Sequence, residues 1–121
     1  MMDDEMYEKI KKIFDQLAAE SEEGAAVLVE GVRDERVLRM IGFKGRVILA
    51  SRLRGEVERM PKKVILLLDF DREGLKNMKR LAKTLSSAGV KVDDSYHKRL
   101  RILKRYGITT VESLRSLLPT S

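Results

Sequence analysis

Residues 63–69, Lys-Val-Ile-Leu-Leu-Leu-Asp, place five aliphatic side chains in a row between two charged ones. Side chains on a strand alternate between its two faces. A strand of this composition therefore has no face that suits water, and both must be covered. Strands buried on both sides belong to parallel sheets packed between layers of helix. This run predicts an α/β fold, and the rest of the chain has to supply the covering layers.

The flanking patterns supply them. Met6, Ile10, Ile13, Phe14 and Leu17 recur at helical spacing over residues 4–20. Residues 25–30 are a short apolar run ending in Glu30 and Gly31. Residues 33–41 read as a helix with Val37, Leu38 and Ile41 inward, and 46–50 as a second strand. Ser51 is a candidate cap for a helix through about Arg59, with Pro61 stopping it. Leu75, Met78, Leu81, Ala82 and Leu85 share one face over 72–87, and Gly89 ends that helix. Residues 90–92 form a weak fourth strand, and 96–106 a basic helix. Thr109 and Glu112 form a candidate capping box for a last short helix. Strands alternating with helices in this way imply βαβ units and a parallel sheet. The reading is one domain over 1–121: an amphipathic helix in 1–23, a core in 24–94 and a helical extension in 95–121.

Composition narrows the chemistry. With no Cys and one His, the chain lacks disulfides, thiol catalysis and the usual zinc ligand sets. No apolar run approaches the roughly 20 residues of a membrane span. The acidic start, Met-Met-Asp-Asp-Glu, has no signal-peptide pattern, so a cytoplasmic protein is expected. The net charge of +6 suggests a polyanionic partner, with nucleic acid the natural choice.

In open parallel sheets, sites form beyond the carboxyl ends of the strands. The ends of the first and third strands carry acids beside glycines. The first delivers Glu30-Gly31 with Asp34 in the next helix; the third delivers Asp69-Phe70-Asp71 and then Gly74. On an extended strand Asp69 and Asp71 face the same way, about 6.6 Å apart along the backbone, close enough to converge on a cation. Crowded carboxylates repel one another unless a cation sits among them. Oxygen-only ligands favour magnesium, with manganese as a substitute. A simpler account of Asp71 is that it caps the following helix, and of Asp34 that it favours a helix N-terminus.

The pair Val29-Glu30-Gly31-x-x-Asp34 and Leu66-Leu-Leu-Asp69-Phe-Asp71-x-x-Gly74 resembles the Toprim domain. That domain is shared by topoisomerases, bacterial-type primases, certain ribonucleases and recombination proteins. The chain is most similar to the small stand-alone Toprim proteins of archaea and bacteria. The resemblance implies a three-layer α/β/α, Rossmann-like fold around a mainly parallel four-stranded sheet. It implies Glu30 as general acid or base, and Asp69 and Asp71 as ligands of Mg²⁺ or Mn²⁺; at the edge of the cluster Glu30 is also a candidate further ligand. Gly31, Asp34 and Gly74 complete the motifs.

It further implies chemistry on phosphodiester bonds, as a nuclease or strand-nicking enzyme on RNA or DNA. The alternative is a non-catalytic nucleic-acid-binding or accessory module of a larger processing complex. A topoisomerase needs a tyrosine presented by a further domain, and nothing around Tyr7, Tyr96 or Tyr106 resembles one. A primase ordinarily needs a zinc module. Asp-x-Asp also starts haloacid-dehalogenase-like phosphatases, but there it follows the first strand and precedes Thr or Val; here Arg72-Glu73 follows. Candidate nucleic-acid contacts are Arg33, Arg52 and Arg54 near strand ends, and Lys98, Arg101 and Arg105 at i, i+3 and i+7 of the basic helix.

Overall fold

The strand of residues 63–69 lies at the centre of a computed structural model that describes residues 2–53 and 60–119. It forms β3 (Lys63–Leu66), with β1 (Ala26–Val29) on one side and β4 (Lys91–Asp93) on the other; β2 (Val47–Leu49) lies beyond β1. All three pairings are parallel. Val27 is in register with Val47 and Ile65, and Val64 with Val92. Pairing continues past the end of β3, where the Leu67 amide donates to the Leu28 carbonyl at 3.0 Å.

Alternation along β1 and β3 sorts the core into two layers. Val27, Val29, Ile65 and Leu67 face helices α1 (Asp4–Ala19), α2 (Val32–Ile41) and α4 (Ser95–Leu100). Ala26, Leu28, Val64, Leu66 and Leu68 face helix α3 (Arg72–Ser87), which contributes Met78, Leu81 and Leu85. The result is the expected three-layer α/β/α arrangement, and within it the sheet is wholly parallel.

α1 starts where Asp3 accepts a hydrogen bond from the Met6 amide at 2.8 Å, with Asp4 and Glu5 favourable to the helix dipole. It buries Ile10, Ile13, Phe14 and Leu17 against the sheet. Each such side chain contributes roughly 1.5–3 kcal/mol as an upper bound. A 3₁₀ turn, Glu20–Glu23, closes it at Gly24, whose φ of 80° lies in the left-handed region that glycine tolerates. The end of α1 is pinned electrostatically. Lys63 Nζ lies 3.2 Å from Glu20 and 3.3 Å from Asp93, and the Tyr96 hydroxyl donates to Glu20 at 2.8 Å. One cluster thus ties α1 to β3, β4 and α4.

The C-terminal part departs from its sequence reading. The basic helix is α-helical only to Leu100 and continues as a 3₁₀ helix, Arg101–Tyr106, closed by Gly107 at φ 77°. Leu100, Leu103 and Tyr106 recur every three residues, which matches a three-residue turn rather than 3.6. Val111, Leu114 and Leu117 repeat the pattern, and Glu112–Leu117 is likewise 3₁₀. Its cap sits one residue later than Thr109–Glu112. The Ser113 amide donates to Thr110 Oγ1 at 3.1 Å, and the Thr110 amide to Ser113 Oγ at 3.3 Å. Of the helix expected after Ser51, residues 54–59 lie outside the described part; Ala50–Arg52 form a 3₁₀ turn.

Candidate metal and nucleic-acid site

The sheet order β2-β1-β3-β4 sends the chain outward in opposite directions from β1 and from β3. Between those two strands the helices that follow them lie on opposite faces, which leaves a crevice at the carboxyl edge. A concavity of about 460 Å³ opens there, and Glu30, Asp34, Asp69 and Glu112 all line it, with Gly31, Arg33 and Thr110. Two strand ends and the C-terminal extension thus contribute acids to one place.

The β1 side is open. Glu30 is exposed and takes part in no ion pair among the described residues. Gly31 is extended, with φ −155°, and a Cβ added to it would meet nothing within 4 Å. Asp34, only 9% exposed, folds back to accept a hydrogen bond from the Gly31 amide at 3.2 Å. Burial raises its pKa above the ordinary carboxylate value. The nearby charges of Asp69, Glu112 and Glu30 push the same way, and the Gly31 hydrogen bond opposes them.

The β3 side is tightly held. Asp69 Oδ1 accepts from the Val111 amide at 2.8 Å, and its carbonyl oxygen lies 3.0 Å from His97 Nε2. Arg101 Nε donates to His97 Nδ1 at 2.9 Å. Arginine has no acceptor, so Nδ1 is the acceptor and the ring proton is on Nε2, donated to Asp69. His97 is fully buried, and burial lowers its pKa, so the imidazole is neutral near pH 7. Phe70 is buried against this ring at a centroid distance of 5.1 Å, and its amide donates to the Thr109 carbonyl at 2.8 Å. Asp71 Oδ1 accepts from the Gly74 amide at 2.8 Å and caps α3. Gly74 lets α3 sit directly on this segment: a Cβ there would fall 2.1 Å from the Asp69 carbonyl oxygen.

The expected acids are therefore divided. Glu30, Asp34 and Asp69 meet at the concavity, whereas Asp71 is outside its lining. The alternation expected to align Asp69 with Asp71 stops with the strand: β3 ends at Leu66, and Phe70 is drawn into the core. Of the expected cations, Arg33 lines the concavity and Arg52 is exposed after β2. Arg54 lies outside the described residues. The three-residue turn after Leu100 removes the common helical face of Lys98, Arg101 and Arg105. Lys98 pairs with Asp94 at 3.3 Å, Arg101 is engaged by His97, and Arg105 is exposed. Sequence reasoning missed Glu112, Thr110 and His97 as members of this region. All three come from the C-terminal extension, which only the fold brings back to the β3 end.

Among the described residues, no three acidic or histidine side chains are placed to hold a metal ion together. Magnesium asks for less, since it commonly takes one or two protein carboxylates and fills the remaining positions with water. An exposed Glu30, a half-buried Asp69 with Oδ2 free of a protein hydrogen bond, and the surplus of negative charge felt by Asp34 fit such an ion.

The chain belongs to the Toprim domain family: residues 24–94 match it, well over half the sequence. A UPF0292 protein of Methanocaldococcus jannaschii is 34% identical over 122 residues, which is 96% of this chain and 94% of that one. A UPF0292 protein of Pyrococcus abyssi is 36% identical over 117 residues, 93% of this chain and 89% of its own length. Among solved structures, a putative protein from Aquifex aeolicus superimposes with a TM-score of 0.71 at 30% identity, covering 84% of this chain and 94% of that one. No helix among the described residues is long and apolar enough to cross a membrane.

Proposed function

We propose that this protein is a magnesium-dependent enzyme acting on phosphodiester bonds of nucleic acid, as a nuclease or nicking activity. The observation that carries this is the meeting of Glu30, Asp34, Asp69 and Glu112 in one concavity at the β1–β3 crevice, with no ion pair to any of them among the described residues. Glu30 and Asp69 would hold the ion, with Asp71 entering through water or by a small shift of the α3 cap. When bound, the ion would neutralise phosphate oxygens and lower the pKa of water.

The chain's own residues do the rest. Glu30 is exposed at the end of a rigid strand and exchanges a proton with the attacking or leaving oxygen. Asp34 fixes the Gly31 backbone, and the open space above Gly31 admits a phosphate close to the main chain. His97, Val111 and Gly74 hold Asp69 in one position.

The test is incubation of purified protein with structured RNA, single-stranded DNA and supercoiled plasmid, in Mg²⁺ or EDTA. Products that form only with Mg²⁺ and vanish in Glu30→Gln and Asp69→Asn support the reading. Identical products from wild type and both variants refute it.

One observation favours a second reading, a non-catalytic binding module. Both aspartates of the second motif already cap backbone amides, at Val111 and Gly74. That reading expects nucleic-acid binding that survives removal of metal and carboxylates alike.

A further inference from the structure

Helix α3 buries Gly74, Met78, Leu81 and Leu85 and turns its other side to solvent. Along that side run Arg72, Lys76, Lys79 and Lys83, at i, i+4, i+7 and i+11, all exposed, with Arg80 beside them. In the whole helix the only acid is Glu73. None of these five cations has a hydrogen-bond or ion-pair partner among the described residues. Other helices do not share this character: α1 mixes Lys9, Lys11 and Lys12 with Asp4, Glu5, Glu8 and Asp15. The basic segment after Ser95 lies on the opposite face of the sheet and commits Lys98 and Arg101 to partners within the fold.

The ridge is about 16 Å long at the helical rise of 1.5 Å per residue. A duplex places a negative charge about every 1.7 Å along its axis, so several phosphates fall within that length. The helix carries no aromatic side chain, and stacking on aromatics is how unpaired bases are ordinarily held. A row of unpaired cations without a stacking platform suits the backbone of a double strand. The row begins at Arg72, directly after Asp71 and three residues from Asp69, so a strand lying on it runs toward the concavity.

We propose that the outer ridge of α3 is the surface that grips the phosphate backbone of double-stranded nucleic acid and leads it to the concavity. The direction of travel rests on reading that concavity as the reactive site; the grip itself does not. Binding of short labelled RNA and DNA duplexes and of the matching single strands is measured by fluorescence anisotropy in EDTA, from about 50 to 200 mM salt. The proteins are wild type, the triple variant Lys76→Gln/Lys79→Gln/Lys83→Gln, and an equally charge-reduced control, Lys9→Gln/Lys11→Gln/Lys12→Gln. Glutamine keeps helix propensity, and circular dichroism checks the fold.

The expected result is a slope of log K against log salt that is shallower by about 2.7 in the α3 variant, at roughly 0.9 per lost contact. The control keeps the wild-type slope. Equal slopes in wild type and α3 variant, equal loss in the control, or tighter wild-type binding to an unpaired strand than to a duplex overturns the proposal. Because metal is absent, the result is independent of cleavage. A shallower slope beside an inactive wild type would uphold the ridge and sink the enzyme, and the reverse pattern would do the opposite.

Discussion

The acidic ends of β1 and β3 differ in how they are held. After β1, Glu30 is exposed, Gly31 has open space above it, and the turn is ordered only locally, by the Gly31 amide donating to Asp34 and the Glu35 amide donating to the Gly31 carbonyl. After β3, every residue from Asp69 to Asp71 is hydrogen-bonded to a distant segment or to the α3 cap. The contrast separates two demands on a phosphodiester site. A group that trades protons benefits from access to solvent and substrate, whereas groups that position an ion benefit from being fixed.

Substitutions at matched positions test that contrast. Gly74→Ala drives a methyl into the Asp69 backbone, so we expect a loss of about 3 kcal/mol or more, or failure to fold, in urea titrations. Gly31→Ala, by contrast, should cost less than about 1 kcal/mol in stability yet impair phosphate access. Glu30→Gln should lower the Mg²⁺-dependent rate by about 10²–10⁴-fold and shift stability by no more than about 0.5 kcal/mol. If it instead destabilises the protein strongly, the β1 end is not the loose one.

Asp34→Asn retains an acceptor for the Gly31 amide and removes a charge that burial and its neighbours disfavour. We expect metal-free stability at pH 7 to rise by up to about 1 kcal/mol, with weaker stabilisation by Mg²⁺. A fall in stability would contradict the like-charge picture.

The smallest expected effect is with pH. His97 has a folded pKa below its unfolded value near 6.5, so its neutral form is favoured by folding. Its contribution is complete above that value and is lost as pH falls below it, because the unfolded chain takes up the proton first. Asp34 works oppositely: its raised folded pKa makes the folded state the better proton acceptor as pH falls toward 4. In metal-free protein His97→Gln should therefore flatten the loss of stability below about pH 6.5, while Asp34→Asn should steepen it.

Much of this was legible in the chain. The apolar run Val64–Leu68 demanded cover on both faces, and the spacing of Leu75, Met78, Leu81 and Leu85 marked which side of α3 is buried. The two acidic motifs were found because each directly follows an apolar strand. What escaped is of two kinds. The 3₁₀ segments are hard to tell from α-helix in the sequence, where the available signal is the three-residue repeat of Leu100, Leu103 and Tyr106. His97 and Glu112 escaped because no local pattern marks them. His97 stands among basic residues like any surface histidine, and only the packing of α4 under Asp69 buries it.

A contact between the first helix and the last turn bears on kinetics. The Tyr7 hydroxyl donates to the Leu117 carbonyl at 2.6 Å across 110 residues of chain. Closing so long a loop is entropically unfavourable, so we expect this contact to form late in folding. Tyr7→Phe should then leave the refolding rate near wild type and quicken unfolding, which makes the seam between the first helix and the last turn the place where the molecule begins to come apart.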